Sequence, residues 1–301
     1  MTQKTKKEIK KTLTGVGFAL PVIIGISVFT LVPMVMSLYN SFFDYDVLNP
    51  RVWVGFENYL RPFRKAPYGY WDQGFSSAIV NTFLFAVISI PLGLTVSYLV
   101  ALLLNTKLKG SSVFRVLYYV PVILPAVVSG LLWSDLLDVD FGFVNILMRR
   151  MGYEGFTFFS ANETAMATFI GMSMFGIGSN VILWTAQLKN IPATMYEAAD
   201  IEGASAVRKL FSITIPMSTG MIFYMLVTGI IGALQVFAQA FLLSGVAPDA
   251  LNFYVVYVYN QAFGRFSMGY ASALSWLLFA VIGLITILLF KTSKWVYYGE
   301  E

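Results

Sequence analysis

The sequence predicts an all-α polytopic membrane protein with six transmembrane helices, and three observations carry that expectation. Of its 301 residues, 57% are hydrophobic and 12% charged, against about 25% charged in a soluble domain, so lipid is the solvent for most of the chain. Six stretches free of Asp, Glu, Lys and Arg, at 12–43, 73–106, 116–134, 164–188, 210–248 and 266–290, can each hold the roughly 20 apolar residues that cross a bilayer core. The Lys and Arg residues then fall nearly two to one on the side of the N-terminus, which places both termini in the cytoplasm.

Taken in order, residues 1–12 form a cytoplasmic tail carrying Lys4, Lys6, Lys7, Lys10 and Lys11. The first helix occupies 13–42. It runs on through Pro21, Pro33 and Tyr39 with no small-residue cleavage site, longer than a signal peptide's apolar region, so it stays in the mature chain. An extracytoplasmic loop follows at 43–75, then a five-helix core at 76–290. Residues 250–264 are too short and too polar to span, with Asn252, Asn260 and Gln261, and read as a re-entrant or interfacial segment. The C-terminal tail, 291–301, returns to the cytoplasm, where Trp295, Tyr297 and Tyr298 follow Lys291 and Lys294 as an interfacial anchor. Pro21, Pro33, Pro91, Pro121 and Pro125 lie within spans, where they bend helices as hinges or merely fit one around another.

The chain has no Cys and no His, which removes disulfides, thiolate and imidazole metal sites and His-based acid–base devices. A net charge of +4, small and dispersed, does not suggest nucleic acid. The spans carry no ionisable side chain, which counts against proton or ion coupling. In the fifth span Tyr224, Thr228, Gln235 and Gln239 recur at helical spacing with Gly232 beside them. The fourth offers Ser173, Asn180 and Trp184, with Gly171, Gly176 and Gly178 open to close backbone approach. Two readings stand: polar glue between helices, or a solvated path whose amides, hydroxyls and aromatic faces suit a neutral hydroxyl-rich solute.

The cytoplasmic segment 189–216 is the richest in pattern and reads as two short helices. Pro192 suits a first turn, Gly203 supplies a left-handed stop, and 204–212 run on toward Pro216. Ala198 and Ala199 leave the first helix nearly bare for a partner, and Glu197 suits its N-terminal end.

Here the residues resemble a family. Glu197-Ala198-Ala199, three residues, Gly203, nine residues, then Ile213-Thr214-Ile215-Pro216 resembles the E-A-A-x3-G-x9-I-x-L-P motif of binding-protein-dependent ABC importer permeases, with Ile215 in place of Leu. The likeness extends over almost the whole chain and is closest to sugar permeases of the maltose, oligosaccharide and glycerol-phosphate kind. Phe56-Glu57-Asn58-Tyr59, Phe141-Gly142-Phe143-Val144-Asn145, and the run from Ile191-Pro192 to Glu202-Gly203-Ala204 resemble further elements of that family, with Glu202 where Asp is usual. Met268-Gly269-Tyr270-Ala271-Ser272-Ala273 and Trp295-Val296-Tyr297-Tyr298 are similar to the first-subunit kind within paired permeases.

The resemblance implies the type I ABC importer permease fold in a prokaryotic plasma or inner membrane. It implies half of a heterodimeric pore beside a second permease, two copies of a cytoplasmic ABC ATPase, an extracytoplasmic solute-binding protein and a sugar-like solute. In that family the coupling helix, 192–212 here, docks in the ATPase, so Glu197, Ala198, Ala199, Gly203, Ile213 and Pro216 become coupling residues. The chain has no G-x-x-x-x-G-K-[ST] loop, so ATP and Mg are expected in the partner and no cofactor here. Asn180, Tyr224, Thr228, Gln235 and Gln239 are the candidate solute path from spacing. The rival readings are a permease for another solute class, a membrane enzyme built around Asp135, Asp138 and Asp140, and a proton-coupled carrier.

Overall fold

The computed structural model describes residues 3–64, 73–105, 111–247 and 249–296. Its helices are α1 Gln3–Ile26, α2 Val32–Asn40, α3 Glu57–Leu60, α4 Gln73–Asn105, α5 Ser111–Ile123, α6 Ala126–Leu136, α7 Phe143–Arg150 and α8 Asn162–Ser173. They continue with α9 Gly178–Lys189, α10 Ala193–Ile201, α11 Ala206–Lys209, α12 Ile215–Met217, α13 Thr219–Leu234, α14 Ala238–Leu243, α15 Tyr254–Tyr259 and α16 Met268–Lys291. One two-stranded sheet, β1 Phe43–Asp44 with β2 Val52–Trp53, pairs antiparallel with Phe43 opposite Trp53.

Among the described residues, four helical stretches are long and apolar enough to cross a membrane: Thr14–Asn40, Gln73–Asn105, Thr219–Leu243 and Met268–Lys291. Two further candidates are bent pairs, α5 with α6 at 106° and α8 with α9 at 47°. The third and fourth spans, each expected as one helix, are therefore each broken in two, and the break in the third falls at Pro125, one of the prolines expected to bend its helix. At the sharper bend the cause is Pro125, which is extended at ψ 143° and caps α6. Its ring disfavours helical backbone at Leu124, so α5 stops at Ile123.

Two of the π turns have a common origin. One spans Ser27–Leu31 just before Pro33, the other Leu210–Thr214 just before Pro216. In each case the proline lacks an N–H and crowds the carbonyl four residues back, which lies inside the widened turn.

The described chain falls into two compact units. In the unit formed by the chain up to Arg64 and Val258–Leu278, the loop after α2 is tied by side chains. Asn58 Nδ2 donates to the carbonyls of Ser41 and Phe43 at 2.9 and 2.8 Å, and Ser41 Oγ meets Tyr59 Oη at 2.7 Å. Gly269 sits so close that a Cβ there would lie 1.9 Å from the Phe43 carbonyl oxygen, and its N–H donates to Tyr45 O at 3.1 Å.

The other unit is built on α4, which packs against α9 and α13. The core gathers Ala101, Leu104, Ile177, Val181, Trp184, Leu188, Ile191 and Met225. Its closeness rests on small residues. Ala78, Thr82, Ala86, Ser89, Gly93, Ser97 and Ala101 are buried along one face of α4, a stripe that lets neighbouring helices approach where lipid provides no hydrophobic drive. Gly178 makes the tightest approach, where a Cβ would stand 1.9 Å from Tyr118 O of α5, whereas Gly171 and Gly176 face open space. Of the three glycines expected to admit a neighbouring backbone, only Gly178 does so. The part of 250–264 that lies in this unit buries Leu251, Phe253 and Val256, and Asn252 Nδ2 donates to Gly74 O at 2.8 Å. Trp295 lies with its ring 6.3 Å from that of Phe223, while Tyr297 and Tyr298 fall outside the described residues.

Candidate functional site

The segment after α9 folds as an elbow. Pro192 caps α10 rather than entering its first turn, with ψ at 129°. The helix ends in a complete two-bond stop: Ala204 N donates to Ala199 O at 2.9 Å, and Gly203 N to Asp200 O at 3.0 Å. Gly203 takes φ +74°, the left-handed conformation that closes such a stop and that glycine adopts freely. Ser205 then caps α11 by accepting the Arg208 N–H at 3.3 Å.

Two side-chain contacts hold the arms of the elbow. Lys209 pairs with Asp200, and Tyr196 Oη meets Thr214 Oγ1 at 2.9 Å. Tyr196, Ile213 and Met217 also rest against the core cluster. Glu197 and Ala198 are exposed, Ala199 is half-buried, and Pro216 is exposed at the start of α12. Around them Met195, Val207, Phe211 and Ile201 leave apolar surface uncovered, Ile201 at 89%. An exposed apolar rim with polar residues about it is a docking surface in form.

The other feature is a cavity of about 260 Å³ between α4, α8, α9 and α13. It is lined by Ser89, Gly93, Ser173, Gly176, Asn180, Met225, Gly229, Gly232 and Ala233 among others. Among the described residues, no ionisable side chain lines it. Asn180, expected on the solute path, is there. Tyr224, Thr228, Gln235 and Gln239 are not.

The structure thus divides the stripe read from the fifth span. The helix α13 stops at Leu234, Gln235 leaves helical backbone at φ −109°, ψ 16°, and Phe237 lies at φ −139°, ψ −69° before α14 restarts. The physical reason is packing. Gly229 of α13 lies against Ile90 of α4, whereas Gln239 and Leu242 of α14 lie against Gly130 of α6, and the chain breaks between these two contacts. Tyr224, Thr228 and Gln235 are exposed on α13 and at its end, and Thr228 Oγ1 donates to its own helix at Tyr224 O, 2.9 Å. Trp184 proves to be glue: buried at 1% exposure, it donates from Nε1 to Ser97 Oγ at 3.1 Å.

Ser89, Gly93, Gly229 and the partner residues Tyr196 and Thr214 escaped the sequence reading. The first two were accessible in principle, because the spacing of small residues along α4 marks a packing face. The Tyr196–Thr214 pair was not, since its members are 18 apart in sequence. Among the described residues no group of His, Cys, Asp and Glu is placed to hold a metal ion.

No protein-family model matches the chain. A probable ABC transporter permease protein of Bacillus subtilis (strain 168), YesP, is 35% identical over 305 residues, covering 99% of this chain and 96% of the relative. The sulfoquinovosyl glycerol transport system permease protein SmoG of Agrobacterium fabrum is 29% identical, over 91% of this chain and 88% of the relative. A crystal structure of a bacterial alginate ABC transporter, solved in complex with an alginate pentasaccharide-bound periplasmic protein, matches at a TM-score of 0.84 and 22% identity, over 96% of each chain. The third shares the fold, and the first shares sequence from end to end: the chain belongs to the permease subunits of ABC transporters.

Proposed function

We propose that this permease subunit forms half of the translocation path of an ATP-driven importer for a sugar or related polyhydroxylated solute. The observation that carries the reading is the elbow at Gly203, whose exposed apolar rim projects from two arms braced back onto the membrane core. Such a form receives a push and passes it on as a rigid body. A separate ATPase, two copies of which bind ATP and Mg, supplies the push. Glu197, Ala198, Ala199 and Gly203 meet that ATPase, and Ile213 and Pro216 carry its motion into α13. A second permease, distinct or a further copy, completes the path, a solute-binding protein delivers from outside, and both termini lie in the cytoplasm.

The sugar class is supported by the solutes named for the relative SmoG and for the alginate transporter. The cavity supports a neutral solute, because its polar groups are Ser89, Ser173 and Asn180 without any charge, donors and acceptors that suit hydroxyls. Tyr224, Thr228, Gln235 and Gln239 remain candidates for the path outside the cavity.

The test exploits the absence of cysteine. With Ala198→Cys in the assembled transporter, a short thiol crosslinker should capture the ATPase subunit. Transport that proceeds with no ATPase captured from 198 sinks the reading.

A further inference from the structure

The loop that follows the first span, 41–64, is held at the ends of two spans at once. The stretch Thr14–Asn40 stops just ahead of β1 at Phe43. From the other side the first residues of the α16 span hold the loop. Gly269 N donates to Tyr45 O at 3.1 Å, and the Arg61 guanidinium lies 4.4 Å from the centre of the Tyr270 ring. With one span between it and the N-terminus, the loop is kept at the membrane surface on the opposite face.

What the loop shows there is aromatic. Neighbouring rings run from Tyr39, in the last turn of the span, to Phe43 at 4.6 Å, Trp53 at 5.0 Å, Phe42 at 5.7 Å and Phe56 at 5.3 Å. Tyr39 is exposed on the span, and Trp53 and Phe56 are 63% and 68% exposed in the loop. The uncovered apolar surface of α2 thus continues into the loop along these rings.

The tip of the hairpin adds to it. Val47 takes φ +72°, a left-handed backbone that a β-branched residue adopts only at a cost. Asp46 Oδ1 holds the turn by accepting the Leu48 and Asn49 N–H groups at 3.1 and 2.7 Å. Leu48 then stands out at 83% exposure. A strained turn that carries apolar side chains outward is accounted for when an apolar layer receives them.

The charges name that layer. Asp44, Asp46 and Glu57 are balanced by Arg51, Arg61 and Arg64, and Arg51 lies over the Tyr45 ring at 4.5 Å. Rings and aliphatic tips set among arginines, at the point where a span ends, match the headgroup region of a bilayer, where amphipathic rings collect and arginine stems lie along apolar surface.

We propose that 41–64 is an interfacial anchor, with Leu48, Trp53 and Phe56 entering the headgroup layer of the leaflet opposite the N-terminus. It fixes the end of the first span and the start of α16 at one membrane surface. The anchor depends on neither the solute nor the ATPase.

The test uses the assembled transporter, with thiol-free partner chains, in vesicles of phosphatidylethanolamine and phosphatidylglycerol. Nitroxide labels at Leu48→Cys and Trp53→Cys report collisions with oxygen, which concentrates in lipid, and with a nickel chelate, which stays in water. At both sites the ratio of oxygen to nickel collisions should exceed that of a free nitroxide in water by at least about threefold. A ratio equal to that in water at either site overturns the anchor. Shielding of either label from both reagents overturns it too, and gives the face to a protein partner. Trp53→Cys removes ring contacts to Phe42 and Phe43, whereas Leu48→Cys leaves the aromatic run whole, so the Leu48 result decides if the Trp53 variant fails to assemble.

Discussion

Asn145 has no exposed surface, and its amide makes three hydrogen bonds: Nδ2 to Asp138 O and Phe156 O at 2.9 and 3.0 Å, and Oδ1 from Phe156 N at 2.7 Å. This one side chain closes the loop on either side of α7. Asn145→Ala strands three backbone groups, and the loss of stability should be about 3 kcal/mol, read as a lowered thermal midpoint in detergent. Asn58 plays the equivalent part after α2, so the asparagines of both family-like elements are structural ties. Asp46 is a milder case. Its carboxylate accepts the N–H groups of Asn49 and Leu48 and the Asn49 amide, and the Asn49 backbone bond first, then its side chain, hold its pKa below the usual carboxylate range. A depressed carboxylate stabilises above the unfolded pKa and stops doing so as pH falls through the folded one. Amide exchange at Leu48 and Asn49 should therefore accelerate beyond its intrinsic rate on acidification through that range.

At the scale of elements, the glycines separate by what they do. Gly203 has φ +74° and open space around it, so a substitution there costs conformation alone. Gly203→Val should lose about 1–2 kcal/mol of elbow stability and most of the ATPase recovered on co-purification, while Gly203→Asn should keep most of it, because asparagine tolerates that backbone. Gly178 is the reverse case, with a helical backbone and no room. Gly178→Ala must push α9 away from α5 and should cost about 2–3 kcal/mol, whereas Gly176→Ala, with nothing within 4 Å, should stay within about 0.5 kcal/mol of the parent; thermal unfolding compares them. Pro216 earned its place in the sequence pattern as a family mark. Its physical effect is the π turn at Leu210–Thr214, which sets Thr214 where Tyr196 can reach it.

For the whole molecule, the exposed Tyr224 on α13 and Gln235 just after it ask for water or another subunit, since lipid would leave their polar groups unmatched, and Thr228 lies on the same exposed side. Thr228→Cys should react with a charged, water-soluble thiol reagent in the assembled transporter, and Leu284→Cys on α16, 59% exposed, should not. Equal reaction at the two sites would contradict a solute path along α13. The membrane class, the six apolar segments and the elbow with its stop at Gly203 were all legible in residue order, because lipid demands long uncharged runs and a left-handed stop demands glycine. The break at 235–237, the size of the turn at Pro125, the single glycine contact that matters among three, and the cavity around Asn180 were not. Each depends on which distant helix a side chain meets. Local periodicity carries no record of that when a span is apolar on every face, so packing between α4, α6, α9 and α13 alone decided where the chain bends and which polar groups share a space.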